Sequence, residues 1–328
     1  MQRLQYFCLL GLLTLTSFAA AQNSHAFLWT AATRMQDLGT LGGSQSFAYG
    51  INSSGEVVGC SDVAGDLQRH AFKWTQTGGM QDLGSLTGYD SGCALGINNS
   101  GQVVGYMYNS SDSQITHAAL WSVDGSIQDL GTLGGSSSAA NAINKNGAVT
   151  GNSQTSGGSS VYAFLWTPTN GMRRIGTQTS NGIGIGQSSV VGYENSHATM
   201  WTSGSLVQDL GTLGGDISSA NGVSSTGKVV GSSEITRGGG DVHAFVWDAT
   251  AGMSDLGTLA GGNYSDAYAI NSQGVIAGTS NMTNGDLHAV LWTASGKLID
   301  IGTLGGVSAY ATALNANGGQ VAGYSLLP

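Results

Sequence analysis

Histidine is the residue whose type and spacing in this sequence could do chemistry. All six histidines stand at one position of a recurring segment whose first copy reads HAFLW: His25, His70, His117, His197, His243 and His288. An aspartate of a second recurring segment, QDLG, accompanies each of them: Asp37, Asp82, Asp129, Asp209, Asp255 and Asp300. Imidazole is a common metal ligand and general base, so the set could form a metal ring or a row of bases.

The repetition itself favours a structural role. The recurring segments predict strands of a repeat array in which the histidine strand is third from the axis, too far out for the imidazoles to share a metal at about 2.1 Å. We expect each histidine to hydrogen-bond within its own repeat, and the aspartates to do the same. Seven tryptophans recur with the same regularity and predict packing: Trp29, Trp74, Trp121, Trp166, Trp201, Trp247 and Trp292. The repeats therefore predict no catalytic residue, metal or cofactor.

The repeat has a period near 45 residues. Tyr162 takes the histidine position in the fourth copy, which makes seven copies, separated by 45, 47, 45, 35, 46 and 45 residues. Units of this length with four short apolar runs are typical of propeller blades. The predicted fold class is all-β, a seven-bladed β-propeller of four-stranded blades.

Four strands, a to d, can be assigned in the first complete repeat. They are SFAYGIN (46–52), EVVG (56–59), HAFKW (70–74) and MQDLGSL (80–86). Strand a alternates Ala or Gly with larger residues, as an innermost strand with close neighbours requires. The order places the a–b and c–d connections on one rim and the b–c and d–a links on the other.

The two chain ends predict how the array closes. The mature chain begins with a c strand at 25–29 and ends with a b strand at 320–324. Pairing the C-terminal a and b strands with the N-terminal c and d strands would complete a seventh blade and remove exposed edges. A linear solenoid is the alternative, but it would need capping repeats, and neither end has one.

The first 21 residues predict a secretory signal peptide. They combine Arg3, an apolar run and a small-residue end at Ala19 to Ala21, with no acidic residue before Asp37. A membrane anchor is the alternative, although the apolar core is short for one. Cleavage leaves residues 22–328 as a single propeller domain, secreted, extracellular or periplasmic.

Charge and cysteine content narrow the partners. The formal net charge is −9, which argues against nucleic acid and against an anionic membrane surface. We expect a monomer that does not bind membranes after signal cleavage. Cys60 and Cys93 remain in the mature chain, either as a disulfide or as two buried thiols.

The motifs HAFLW, QDLGTLGG and AINxxGxVVG, at this period, resemble the HAF-type extracellular repeat proteins. The resemblance covers nearly the whole mature chain, and the strand order is similar to that of WD-repeat propellers. It implies export and a repeat architecture. It implies no reaction, ligand or catalytic residue.

The fourth copy departs from the pattern. Its d strand reads RRIGTQT (173–179) without an aspartate, and 183–192 lacks the usual turn. His197 follows Gly192 after five residues, whereas the other b–c links take 10 to 12. This blade is either poorly closed or a point of ligand entry.

Function is expected on the rim of variable b–c links, where propellers usually bind. The candidate residues are the acids Asp62, Asp66, Asp112, Glu234, Asp241 and Asp286. They lack the spacing of a calcium loop. We predict a non-enzymatic binding module for a glycan or protein at the cell exterior. The alternative is a secreted hydrolase or lyase, which an asymmetric cluster of acids or a histidine beside a pocket would favour.

Overall fold

The computed structural model describes residues 23–158, 160–202 and 206–328. The predicted signal peptide, 1–21, lies outside the described residues. The described part of the chain contains 28 β-strands and no helix, so it has none long and apolar enough to cross a membrane.

The strands pair antiparallel in units of four, each in the order a-b-c-d, and form five four-stranded sheets and one eight-stranded sheet that joins two such units. The chain starts with β1 (Ser24–Thr30) and β2 (Arg34–Asp37), the c and d strands of unit 1. Unit 2 contains β3 (Gly42–Ile51), β4 (Val57–Val63), β5 (Arg69–Thr75) and β6 (Gly79–Asp82). Unit 3 contains β7 (Ser91–Ile97), β8 (Val103–Asn109), β9 (Asp112–Trp121) and β10 (Ile127–Asp129). Unit 4 contains β11 (Gly134–Ile143), β12 (Val149–Thr155), β13 (Val161–Thr167) and β14 (Gly171–Arg174).

The remaining strands complete the array. Unit 5 contains β15 (Ser180–Ile185), β16 (Ser189–Glu194), β17 (His197–Thr202) and β18 (Val207–Gly211). Unit 6 contains β19 (Ser218–Val223), β20 (Val229–Glu234), β21 (Val242–Asp248) and β22 (Gly252–Asp255). Unit 7 contains β23 (Ser265–Ile270), β24 (Ile276–Asn281), β25 (Leu287–Trp292) and β26 (Leu298–Gly302). The chain ends with β27 (Ala309–Leu314) and β28 (Gln320–Leu326), the a and b strands of unit 1.

Unit 1 joins the two chain ends. Strand β1 pairs with β28 along its whole length, from Ser24 opposite Leu326 to Thr30 opposite Gln320. This is the pairing expected from the strands at the two ends. Each innermost strand also contacts the innermost strand of the next unit, and β27 of unit 1 contacts β3 of unit 2. Units 3 and 4 additionally share one parallel bridge, between Thr116 and Ser137.

A bulge in every innermost strand explains the small residues of the repeat. In β3 the register shifts between Ala48 and Gly50. A Cβ atom on Gly50 would press on Val58 of its own unit and on the backbone of unit 3. A Cβ atom on Gly59 of strand b would overlap the Phe47 carbonyl oxygen. Alanine or glycine in strand a and glycine after the paired valines are therefore steric requirements of closely spaced sheets.

The apolar core lies in and between the units. One cluster combines Leu28 and Ala322 of unit 1 with Val57 and Phe72 of unit 2, and similar clusters recur around the array. The residue two positions after the strand c histidine, such as Phe72 and Phe245, is fully buried. Each unit thus depends on its neighbours for its buried surface.

Strand d is shorter than predicted. It ends at Asp82 in unit 2, and the LGSL segment that follows crosses to the next unit. The cause is local: Gly84 has φ +71° and donates its N–H to Asp82 Oδ1, which turns the chain away from the sheet.

Candidate functional site

Each repeated histidine bonds to the aspartate of its own unit. The Nδ1 to Oδ2 distances are 2.6 to 2.8 Å in His25–Asp37, His70–Asp82, His117–Asp129, His197–Asp209, His243–Asp255 and His288–Asp300. Because a carboxylate only accepts, Nδ1 carries the proton in each pair. The pair ties strand c to strand d.

The same aspartates hold the turn that follows them. Their Oδ1 atoms accept the backbone N–H of the glycine two residues on, at 2.7 to 2.8 Å. The six pairs lie in six separate units, and the described ranges contain no group of three His, Cys, Asp or Glu residues able to hold a metal. Each pair is engaged in bonds that the sheet itself needs.

Unit 4 replaces this pair with a different contact. Tyr162 stands at the histidine position and Arg174 at the aspartate position, and the Arg174 Cζ atom lies 3.4 Å from the centroid of the Tyr162 ring. Arg174 also donates to the carbonyl oxygens of Gly176 and Thr177, both at 2.6 Å. A cation–π contact thus joins strands c and d where the ion pair is missing.

The tryptophans pack between units. All seven are buried. The indole N–H of Trp121 donates to the Gly84 carbonyl of the preceding unit at 3.1 Å, and Trp292 donates to Leu256 at 2.9 Å. These side chains fix neighbouring units to each other.

Two serine positions form a bonding network that the sequence patterns did not reveal. Ser46 at the start of strand a accepts the Ala26 N–H of the preceding unit at 2.8 Å and donates to the Gly39 carbonyl at 2.6 Å. Ser61, two residues after the strand b glycine, accepts the Leu41 N–H at 2.8 Å. The second bond recurs from Leu133, Leu213, Leu259 and Leu304. Serine at these fixed places was the available signal.

The six candidate acids do not come together. Asp62 and Asp66 lie in unit 2, Asp112 in unit 3, Glu234 and Asp241 in unit 6, and Asp286 in unit 7. Asp62 pairs with Arg69 at 2.7 Å, and Asp66 accepts the Ser44 N–H at 2.7 Å.

The remaining acids support their own links in the same way. Glu234 accepts the Asp216 N–H at 3.1 Å, while Asp241 and Asp286 accept from the amides of nearby asparagines. Asp112 begins β9, because the b–c link of unit 3 is a hairpin with a two-residue turn and not a long loop. The acids shape separate links and do not build one site.

A cluster of aromatic side chains lies where the inner strands meet the rim of b–c and d–a links, which we call the link rim. It comes from units 7, 1, 2 and 3, and we call it the aromatic floor: Phe47, Tyr49, Tyr108, Tyr264, Tyr310 and Tyr324. The Tyr310 and Tyr324 rings stack at 4.8 Å, and Tyr324 meets the Phe47 ring edge-on at 5.1 Å. All six residues are half-buried.

Arg69 extends the floor towards solvent. Its Cζ atom lies 4.8 Å from the Phe47 ring centroid while its Nε atom bonds Asp62. Burial raises the pKa of Tyr49 and Tyr264 above that of free tyrosine, so both phenols stay neutral at physiological pH. The floor therefore offers apolar ring faces beside one ion pair.

Exposed apolar side chains stand around this floor. Seven large apolar residues are exposed in the described part of the chain, and four of them lie on the link rim over the same units: Leu67, Ile115, Met282 and Val307. The other three lie at or beside c–d turns, on the opposite rim. One sector of the link rim thus has aromatic side chains at its inner strands and exposed apolar side chains in its links.

The trimmed copy forms a complete unit. Strands β15 to β18 pair in the usual order, and the b–c link of unit 5 is a two-residue turn in which Asn195 and Ser196 have positive φ, as type I′ hairpins require. Of the two alternatives for this copy, a poorly closed blade is excluded by the pairing of its strands, and a point of ligand entry stays a prediction.

A cleft remains where the longer link is missing, on unit 5 beside the crossing from unit 4. It encloses about 280 Å³ and is lined by Gln178, Glu194, Asn195, His197, Thr199, Val207 and Asp209. We call it the 4–5 cleft.

Cys60 on β4 and Cys93 on β7 form a disulfide that joins units 2 and 3. Of the two possibilities for these cysteines, the disulfide is therefore the one that the structure contains, and not two free thiols.

No family model matches the chain, and no curated protein matches it. Solved structures do. A protein assigned as TolB from Agrobacterium tumefaciens matches 94% of this chain and 99% of its own, with a TM-score of 0.53 and 12% identity. Virginiamycin B lyase from Staphylococcus aureus matches 93% of this chain and 100% of its own, with a TM-score of 0.53 and 11% identity. At such low identity the likeness shows the β-propeller fold alone.

Proposed function

We propose that this protein is an exported, non-enzymatic, seven-bladed β-propeller of the HAF-type repeat family that binds a glycan on the aromatic floor. Seven four-stranded units and the β1–β28 pairing support the closed ring. The Cys60–Cys93 disulfide supports an oxidising, extracytoplasmic compartment.

The observation that carries the proposal is the sector of partly exposed rings among exposed loop tips. Sugar rings present C–H faces that pack on aromatic rings, and their hydroxyls bond to groups such as the Arg69–Asp62 pair. The other units place no large exposed apolar side chain on the link rim within the described residues. The sector is thus distinct in its exposed apolar side chains.

An oligosaccharide array probed with residues 22–328 tests this function. We expect retention of at least one glycan class, and loss of retention in Tyr108→Ala and Tyr310→Ala. Tyr162→Ala is the matched control, since that tyrosine packs on Arg174 in unit 4 and does not belong to the floor. Equal loss in all three variants, or no retained glycan, would contradict a glycan site on the floor.

One observation favours the hydrolase or lyase alternative: Glu194, His197 and Asp209 line a single cleft. Against it, the His197–Asp209 pair is the same contact found in five other units. The Thr199 hydroxyl donates to the His197 carbonyl and not to its ring. Product formation from array glycans, abolished by Glu194→Gln, would establish the enzyme and refute the binding module.

Export has its own test. N-terminal sequencing of secreted or periplasmic material should start at or near Gln22, because the small residues before it are suited to signal cleavage. An intact Met1 form in the membrane fraction would instead indicate an anchor. Sedimentation of the mature protein should give a monomer.

A further inference from the structure

The 4–5 cleft results from three departures that coincide at one interface. Gln178 replaces the leucine that crosses to the next unit elsewhere, and Glu194 replaces the serine that accepts its N–H. The b–c link of unit 5 is also shortened, with five residues from Gly192 to His197 against 10 to 12 in the other units. These three departures occur together in unit 5.

Glu194 lies in the wall of the cleft, and only its Oε1 atom accepts hydrogen bonds from the described residues. Its side chain is deeply buried, with the residue 8% exposed. Its Oε1 atom accepts the Gln178 N–H at 2.6 Å, the Thr177 hydroxyl at 2.8 Å and the Thr177 N–H. Among the described residues no hydrogen bond reaches Oε2. The protein therefore fixes Oε1, and Oε2 is available to accept a hydrogen bond from a ligand in the cleft.

Besides the amide side chains of Gln178 and Asn195, which both donate and accept, the cleft contains two further acceptors. Asp209 is a carboxylate, and because His197 donates from Nδ1, its Nε2 atom accepts in the neutral ring. The Thr199 hydroxyl already donates its proton to the His197 carbonyl. Among the residues that the structure describes, no lysine or arginine lines the cleft. The nearby Arg174 is engaged with Tyr162 and two carbonyl groups.

We propose that the 4–5 cleft binds a primary alkylammonium group, the chemistry shared by free diamines and by lysine side chains. An ammonium group supplies three donors and one positive charge to two carboxylates and a neutral imidazole. Val207 at one side offers a contact for the alkyl chain. The site is independent of the glycan proposed for the aromatic floor.

Calorimetric titration of residues 22–328 with 1,5-diaminopentane at low ionic strength tests this site. We expect saturable binding with a Kd of about 1 mM or tighter, and no binding of 1,5-pentanediol, which has the same length without the charge. A parallel titration with Nα-acetyl-lysine amide separates the two sources. Tighter binding of the lysine derivative would indicate a protein ligand, and tighter binding of the diamine a free polyamine.

Matched variants separate the cleft from the fold. Glu194→Gln and Asp209→Asn should each weaken diamine binding about tenfold or more, as expected for loss of a charge-assisted hydrogen bond. Asp255→Asn breaks the identical His–Asp contact in unit 6, outside the cleft, and should leave the affinity unchanged. Equal weakening by Asp255→Asn, binding of the diol, or no saturable heat up to about 10 mM diamine would each overturn the proposal.

Discussion

The interface between units 1 and 2 and the interface between units 4 and 5 share one backbone arrangement. The first is closed by packed side chains, whereas a cleft lies beside the second. At the first, Leu41 crosses between units, Ser61 accepts its N–H, and Tyr324 packs on Phe47. At the second, Gln178 and Glu194 take the places of the leucine and the serine, and a cleft opens.

What is kept shows which bonds the array needs. The serine at the start of strand a still accepts the alanine N–H of the preceding unit at the second interface, from Ala163 to Ser180. The contact between strands c and d also persists there as Tyr162 on Arg174. Backbone bonds between units are thus retained while the side chains above them change, which lets one interface acquire a site without loss of the array.

The largest expected effect comes from breaking the interface at the chain ends. Deleting residues 309–328 removes β27 and β28, the partners of β1 and of the aromatic rings of unit 2. We expect loss of the cooperative unfolding transition, because an exposed strand edge and an uncovered core face cannot be sealed elsewhere. The thermal unfolding of the truncated protein is followed by circular dichroism. An unfolding curve identical to that of residues 22–328 would refute the closure.

A buried carboxyl between units 6 and 7 should make stability depend on pH. Burial raises the pKa of Asp266 to about 7, and Asn221 donates to its Oδ1 atom at 2.8 Å. The folded protein keeps this proton between pH 4 and 7 while the unfolded chain releases it, so stability falls as pH rises through that range, by on the order of 4 kcal/mol.

Asp266→Asn keeps the acceptor oxygen and removes the titration. Urea unfolding at pH 5 and pH 8 should show a smaller pH difference for the variant and a gain in stability at pH 8. An unchanged pH difference would mean that other groups set it. Tyr264 and Tyr268, which lie close to this carboxyl, should stay neutral in both conditions because burial raises the pKa of each.

The disulfide should stabilise the sector that holds the aromatic floor. Cys60 and Cys93 are 33 residues apart in sequence. Closing a loop of that size is expected to contribute about 3–4 kcal/mol. The Cys60→Ser/Cys93→Ser double variant should lose that amount in denaturant unfolding, and a reductant should then have no further effect. The same reductant should destabilise the unaltered protein to a similar extent.

The histidines provide a smaller effect that compares regular units with unit 5. His70→Ala and His243→Ala should each cost roughly 1–3 kcal/mol by leaving an aspartate unpaired, and the double variant should lose the sum. His197→Ala should cost less, since that side chain is 38% exposed against 17% for His243. Loss of glycan binding without destabilisation in any variant would argue for a functional histidine.

The smallest effect should come from restoring the regular pattern at the cleft. Gln178→Leu returns the residue that the other crossings carry and places apolar surface against the neighbouring unit. We expect a gain of roughly 0.5–1 kcal/mol in denaturant unfolding, together with weaker diamine binding. Destabilisation would show that the polar wall around Glu194 holds this interface.

Periodicity was enough to predict the units and their closure. The Ala48 and Gly50 pattern marked an innermost strand, and a c strand at one end with a b strand at the other predicted the β1–β28 pairing. These features recur in each repeat, so sequence spacing alone reveals them. The histidine partners were less defined, since the sequence predicted a bond within the unit without naming the aspartate.

The candidate sites depend on neighbours that sequence spacing does not give. The aromatic floor draws one or two residues from each of four units, so Tyr108 and Tyr310 look unrelated along the chain. Gln178 and Glu194 each look like an isolated departure, and their meaning comes from a contact across two units. The disulfide was left open because the inter-unit distance depended on how closely strands a and b of neighbouring units approach.

The joined chain ends also determine when this protein can reach its native state. The Thr312 hydroxyl donates to the Ala48 carbonyl across 264 residues of sequence. Strand β1 has no pairing partner on its inner side until β28 has been synthesised. Contacts of such high order form slowly. Synthesis delivers β28 last. Under the export that we propose, closure of the array would therefore follow translocation, and the chain would cross the membrane before the array is complete.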